Sequence, residues 1–319
     1  ENDNRPYFGI QKPANTAARD SLNRVNYKIT DNTVLNNTDQ GYSFSVTTKL
    51  EKPFKNSNWY AMLAYNYAVA KDLFSAGSIA NSSWTGFPSV NGNNRPDLSL
   101  SDNDLRQRII GAFSYNIPEG KFASTLVSLF MQSSPLGNAS FAVAGDLNGD
   151  GLTANDLMYV PNNANNLQFA NATINGKTVD IATQKAALET FISNNDYLTS
   201  HRGQYAERNG WVLPFLTTFD LTIAQNFYVS VKEKKNTIQV RMDMYNVGNF
   251  INNSWGVGNN FLTSPLQFNK YDAATNQPVY TLRTAYFNSA NQFPASPVAV
   301  RATLADVWQL QLGVRYIFN

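Results

Sequence analysis

Segments of alternating apolar and polar residues recur along this chain, and the connections between them are in turn very short and very long. The clearest are 40–52, 58–71, 104–116, 214–229, 236–248 and 307–318. Successive residues of a strand point to opposite faces, so each segment has one apolar and one polar side. In the first, Tyr42, Phe44, Val46, Thr48 and Leu50 oppose Ser43, Ser45, Thr47, Lys49 and Glu51. In the fifth, Ile238, Val240, Met242 and Met244 oppose Gln239, Arg241 and Asp243. In the last, Trp308, Leu310, Leu312, Val314, Tyr316 and Phe318 oppose Gln309, Gln311, Gly313 and Arg315. Segment 120–133 reads as a seventh strand, but both of its sides mix Ser with apolar residues, which leaves its facing open. Each segment is long enough to cross a bilayer at a tilt, which takes about 9–11 residues. Taken alone, the last segment fits the closing strand of a soluble sandwich equally well.

The connections separate those readings. Residues 53–57, 117–119 and 230–235 are tight turns, whereas 72–103, 134–213 and 249–306 are long and rich in Asn, Ser, Gly and Pro. Outer-membrane barrels combine short periplasmic turns with long extracellular loops, and a sandwich has no reason to gather its long loops at one end. The pattern predicts an all-β transmembrane antiparallel barrel with its C-terminus in the periplasm. Trp59, Tyr115, Phe122, Phe227, Tyr228, Tyr316 and Phe318 then belong to a periplasmic aromatic girdle, and Tyr42, Phe215 and Trp308 to an outer one.

Seven strands is an odd count, and bacterial single-chain barrels have an even one. Either a further strand lies in residues 1–39, otherwise an extracellular loop or strand extension, or residues 1–319 are the C-terminal part of a larger barrel. Glu1 is followed by no charged n-region and apolar h-region, so the start reads as a cut and favours the second. No stretch approaches the roughly 18 apolar residues of a membrane helix. The absence of Cys permits an extracytoplasmic location, and a net charge of +2 gives no argument for nucleic acid.

Six stretches carry a resemblance: DNRPYFG (3–9), GDLNGDGLTANDLMYVP (145–161), HRGQYAERNG (201–210), FDLTIAQNF (219–227), MYNVGNFINNSWG (244–256) and LQLGVRYIFN (310–319). Their combination and order resemble the C-terminal barrel of the TonB-dependent receptors of Bacteroidota, in particular the Oar-like subgroup with a carboxypeptidase-regulatory-like N-terminal domain. The resemblance implies a barrel of twenty-two strands around an N-terminal plug, driven through TonB for active uptake of a large or scarce ligand. It implies as partners the plug and remaining strands, the TonB complex, the barrel-assembly machinery, membrane lipid and, in some members, a surface lipoprotein. The chain ends Phe318-Asn319, where such barrels more often stop on the aromatic. A structural or adhesive barrel that displays loops without transport is the alternative, and a soluble calcium-binding β domain the third reading.

Four groups are candidate sites. Asp146, Asn148 and Asp150 before Gly151 look like the opening of a calcium loop, but the acid expected at the twelfth position falls one residue early, at Asp156. Asx turns that bond loop backbone are the other use of these side chains. His201, Arg202, Glu207 and Arg208 form the densest polar cluster and read as a salt-bridged anchor that holds the returning loop over the rim. No Gly-x-Ser-x-Gly, Cys or second His accompanies His201, so no catalytic or zinc signature is present and no enzyme is expected. Asp220, Arg241, Asp243 and Arg315 fall on the polar, lumen-facing side of the last strands, the side on which charges are tolerated. Within 134–213 the spacing predicts a helix over 183–195, capped by Thr183, with Leu188, Phe191 and Ile192 on one face of a folded extracellular lid.

Overall fold

The structure, a computed structural model, describes residues 3–8, 28, 34, 36–231 and 234–318. Seven long strands pair in chain order as one antiparallel meander: β1 (Tyr42–Lys52), β2 (Trp59–Asp72), β3 (Gln107–Glu119), β4 (Ala123–Pro135), β5 (Phe215–Val231), β6 (Lys234–Tyr245) and β7 (Gln309–Ile317). A two-residue strand, Ser99–Leu100, adds to the end of β2. The chain is thus mostly β with antiparallel pairing, as the alternation predicts. The sheet is open, since among the described residues neither β1 nor β7 pairs on its outer side. No helix among them is long and apolar enough to cross a membrane.

Register carries one pattern across all seven strands. Residues directly opposite in an antiparallel pair share a face. Val46 faces Tyr67, Leu63 faces Gly111, Phe113 faces Leu129, Leu129 faces Leu221, Leu221 faces Met244 and Met244 faces Leu310, so one side of the sheet is apolar from edge to edge. The other side carries Thr47 opposite Asn66, Ser114 opposite Ser128, Ser128 opposite Thr222, Thr222 opposite Asp243 and Asp243 opposite Gln311. This settles the facing of β4: Val127, Leu129 and Met131 join the apolar side, and Ser124, Ser128 and Gln132 the polar one. Most of the apolar side is uncovered, with Leu50, Leu63, Phe113, Val240, Leu312 and Val314 all exposed. Its polar members near the turns bond one another: the Glu119 carboxylate accepts from Gln225 Nε2 at 2.8 Å and from the Thr125 hydroxyl at 2.5 Å.

The turns also step along the register. Trp59 lies opposite Tyr115 where β2 begins, Ala123 lies between Glu119 of β3 and Phe227 of β5 at the next turn, and Val231 lies opposite Lys234 at the third. From Tyr115 to Glu119, and from Phe227 to Val231, is four residues each time. The strands therefore slant relative to the line of turns, as strands do in a sheet that curls.

Almost none of the buried core belongs to this sheet. The three long connections, 73–106, 136–214 and 246–308, lie at one end of it and fold together into a body with its own interior. Phe141, Met158, Leu188, Phe191, Ile192 and Leu198 from the second meet Leu266, Leu282 and Phe293 from the third. Fully burying each such side chain stabilises the body by about 1.5–3 kcal/mol. A small sheet joins the two connections, Gln168–Phe169 parallel to Pro278–Leu282 and the latter antiparallel to Leu266–Tyr271. Four short helices belong to the connections: α1 (Ala80–Thr85), α2 (Ile181–Ser193), α3 (Asp196–Ser200) and α4 (Val247–Ile251).

Local chemistry shifts several expected boundaries. The helix expected over 183–195 is α2, and its cap is Asp180, whose Oδ1 accepts from Thr183 N at 2.7 Å, so Thr183 supplies the capped amide instead of capping. Leu188, Phe191 and Ile192 do share its buried face. Residues 117–119 are not a turn: β3 runs through Glu119 and turns at 120–122, with Gly120 at φ +73°. Pro118 fits there because Asn116 N donates toward β2, to Asn58 O, and the missing N–H two residues on points where β2 has ended. The start of β3 moves from 104 to Gln107, since Asp104 Oδ1 takes the amide of Ala70 at 2.7 Å in place of backbone. Tyr228 does not join the aromatics of the apolar side but faces Ser124 on the polar one, Oη to Oγ at 2.6 Å. Most of residues 1–39, Lys232 and Glu233 of the last turn, and Asn319 lie outside the described residues.

Candidate functional site

The end of the sheet that bears the long connections holds the chain's chemistry, and Arg208 lies at its centre. The Arg208 side chain is 3% exposed. Its Nη2 donates to Asp72 Oδ1 at 2.6 Å and to Asp72 O at 2.7 Å, Nη1 reaches Ser75 Oγ at 3.3 Å, and the guanidinium lies 4.5 Å from the centre of the Phe87 ring. Asp72 is the last residue of β2, so this pair ties the second long connection to the top of the sheet. Among the described residues Nε of Arg208 is buried without a hydrogen-bond partner.

Two clefts of about 530 Å³ each open beside Arg208. One is lined by Lys71, Asp97, Arg106, Tyr205 and Glu207 with Phe87 and Leu98. The other is lined by Ser75, Ser82, Ser83, Asp102, Ser140 and Asn209. Asn209 is held by Leu100 O at 2.9 Å and Asp102 Oδ1 at 2.6 Å, so the second cleft is a set of fixed hydroxyls, amides and a carboxylate. Such a lining offers hydrogen-bond donors and acceptors, and Phe87 adds apolar surface to both clefts.

The remaining members of the expected anchor do not converge on one point. Arg202 Nη2 pairs with Glu189 Oε1 of α2 at 2.5 Å, and Nη1 donates to Asn162 O at 3.0 Å, which braces the loop body internally. Burial pushes the Glu189 carboxyl up, but the amide of Ala164 and the Arg202 guanidinium outweigh it and hold the group below its ordinary value. His201 stacks on Tyr197 with ring centres 4.0 Å apart. Its Nδ1 lies 2.8 Å from Tyr197 O, which makes Nδ1 the protonated nitrogen. Ser200 Oγ, 3.1 Å from the same atom, therefore meets a donor and not a base. Burial pushes the Tyr197 phenol up to about 12, and its oxygen accepts from Glu207 N at 2.7 Å. Among the described residues neither His201 nor Glu207 forms an ion pair.

The expected calcium loop is closed on itself. Asp146 accepts from Gly149 N at 2.6 Å and Gly151 N at 2.9 Å, Asn148 Oδ1 from Asp150 N at 2.9 Å, and Asp150 Oδ1 from Leu152 N at 2.8 Å, the Asx-turn arrangement. Asp156 has a separate role, accepting from Leu147 N at 2.8 Å and pairing with Arg5 at 3.1 Å. Among the described residues no three His, Cys, Asp or Glu gather as a group that could hold a metal ion.

Arg5 itself was not singled out by the sequence. Its side chain is buried between Asp3 at 2.9 Å and Asp156, and Nη2 donates to Leu157 O at 2.7 Å. Phe8 N donates to Asn148 O at 2.7 Å, and Tyr7 packs edge-on against Tyr271. Residues 3–8 thus thread into the loop body. The signal was a composition of two charges and two aromatics in six residues, with nothing to say where they dock.

Register places all four charges expected on one side together on the polar face. Arg241 grips Asp243 with Nε at 2.6 Å and Nη2 at 2.8 Å, and Thr222 donates to the same carboxylate at 2.6 Å. Asp220 accepts from Asn246 N at 2.8 Å, where β6 ends. Arg315 lies opposite Gln239. Comparison of the chain with protein-family models, with curated proteins and with solved structures finds no match.

Proposed function

We propose that this chain is barrel wall and extracellular ligand-capturing loops of a TonB-dependent receptor in the outer membrane, of the Bacteroidota type its motifs resemble. The observation that carries the reading is the separation of a sheet whose apolar side is uncovered over most of its width, apart from the seat of residues 247–251 on Phe219, from a core that lies almost entirely in the connections at one end. A soluble sheet of this extent would need a second layer, because soluble proteins rarely expose contiguous apolar patches larger than a few hundred Å². Hydrocarbon on the apolar side, a polar lumen on the other and a folded cap outside account for the apolar side, the polar side and the separate core.

In this reading the clefts beside Arg208 meet the ligand, and the polar face with Arg241–Asp243 and Arg315 lines the route past the plug. The two open edges close on strands outside this chain, and force through TonB moves the plug. No covalent chemistry is assigned to these residues.

Fractionation of native membranes tests the location, and capture of the intact receptor by the purified periplasmic domain of TonB tests the transport role. Extraction from outer membranes by detergent alone, together with capture, is the expected result. Release into the soluble fraction overturns the membrane reading. Detergent-dependent extraction without capture favours a barrel that displays its loops without transport.

A further inference from the structure

Helix α4 is short, apolar and seated on the outside of the sheet, where the proposed function gives it a partner. The chain leaves β6 through Asn246 in the left-handed region, φ +51°, a conformation Asn tolerates, and this turns α4 over the apolar side. Phe219, at the foot of Gly248, shares that side with Met131, and a Cβ added to Gly248 would lie 3.9 Å from the Phe219 ring. The Phe250 ring meets Trp308 edge-on at 5.3 Å. Asn249 fixes the seat: its Oδ1 accepts from Trp308 N at 3.3 Å, and its Nδ2 donates to the carbonyls of Asn253 at 3.1 Å and Trp255 at 3.0 Å.

The outward surface of this seat is apolar and uncovered. Phe250 is 60% exposed, Ile251 71% and Trp255 54%. No charged residue occurs between Asp243 and Lys270. A stretch that met phosphates or an acidic protein would carry cations, whereas a neutral, amide-rich stretch with Trp and Phe suits the boundary between acyl chains and headgroups. It also continues the apolar face without a break, at the level of Trp308.

We propose that residues 247–255 form an in-plane interfacial insert that seats Phe250, Ile251 and Trp255 among the upper acyl chains of the outer leaflet. This rests on the apolar face meeting lipid. The insert widens the wall's contact with the leaflet at the foot of the third long connection, so the connection that completes the loop core is anchored in the membrane surface as well as in the sheet.

These 319 residues contain no Cys, and any Cys elsewhere in the intact receptor is first replaced by Ser, so that each introduced Cys is a single labelling site. Ile251→Cys, Trp255→Cys and Leu312→Cys, each carrying an environment-sensitive fluorophore, are compared in the intact receptor in phosphatidylcholine vesicles with quenchers placed near the headgroup or deep in the chain. Leu312→Cys reports the sheet face itself. The expected result is blue-shifted emission at all three, with positions 251 and 255 quenched several-fold more by the shallow than by the deep quencher and the reverse at 312. Water-like, unquenched emission at 251 and 255 beside a quenched 312 overturns the insert and leaves the sheet reading intact. Deep quenching at 251 and 255 equal to that at 312 also overturns the interfacial placement. An unquenched 312 overturns the lipid-facing sheet, and the insert with it.

Discussion

Arg5 and Asp156 stand 151 positions apart in the chain and are both buried. Removing one partner of such a pair leaves the other charge uncompensated, which costs about 3–5 kcal/mol, while removing both costs less than the sum. Arg5→Met is therefore expected to destabilise the loop body by that amount, and Arg5→Met with Asp156→Leu to recover part of it, in denaturant melts followed by tryptophan fluorescence. Asp306 supplies a pH-dependent counterpart. The Arg301 guanidinium, against opposing burial, and the hydroxyl and amide of Thr303 hold its carboxyl well below the ordinary value. A depressed carboxylate contributes stability that is complete above its unfolded pKa and lost as pH falls through the folded one. Asp306→Asn is expected to cost about 1.5–3 kcal/mol near neutrality, because hydrogen bonds to the charged group from Arg301 and Gly258 N are lost. The gap in Tm from the parent protein should stay constant on acidification to about pH 5 and close below about pH 4.

At the scale of elements, the strands were legible because period-two alternation survives wherever one side of a strand meets something apolar. Six of the seven positions follow from it, within a few residues. β4 was legible as a strand over 120–133 but not in its facing, since Ser124, Ser128 and Ser133 fall on both sides and only pairing with β3 and β5 assigns them. The helix cap was misplaced because Asp180 and Thr183 are both capping residues, and only backbone direction decides which accepts. Of the site, the charges on β5 to β7 were readable from parity alone. Arg208 was visible as part of a dense cluster, but Asp72 lies 136 residues away, and no local pattern records that contact. Leu188 on α2 tests how independent the loop body is from the sheet. Leu188→Ala is expected to cost the body about 2–5 kcal/mol through lost burial and the cavity left behind. Limited proteolysis should then cut residues 136–214 readily while the strands stay protected, and simultaneous loss of both would show a single cooperative unit.

Over the whole molecule, the two faces of the sheet predict opposite tolerances. Val314→Arg on the apolar side is expected to cost about 2–4 kcal/mol of folding into lipid vesicles, and Gln311→Arg on the polar side close to nothing, by yield of the folded form. The ion pair between Arg208 and the tip of β2 carries a consequence for assembly. A strand that slips by two residues keeps every side chain on its proper face, so hydrophobic patterning alone does not reject it. Such a slip would move Asp72 by about 7 Å along the strand axis, out of reach of Arg208, and would strand a buried guanidinium. The loop body would thereby act as a gauge of alignment, its Arg208 finding a partner when the strands beneath it are laid in the right notch.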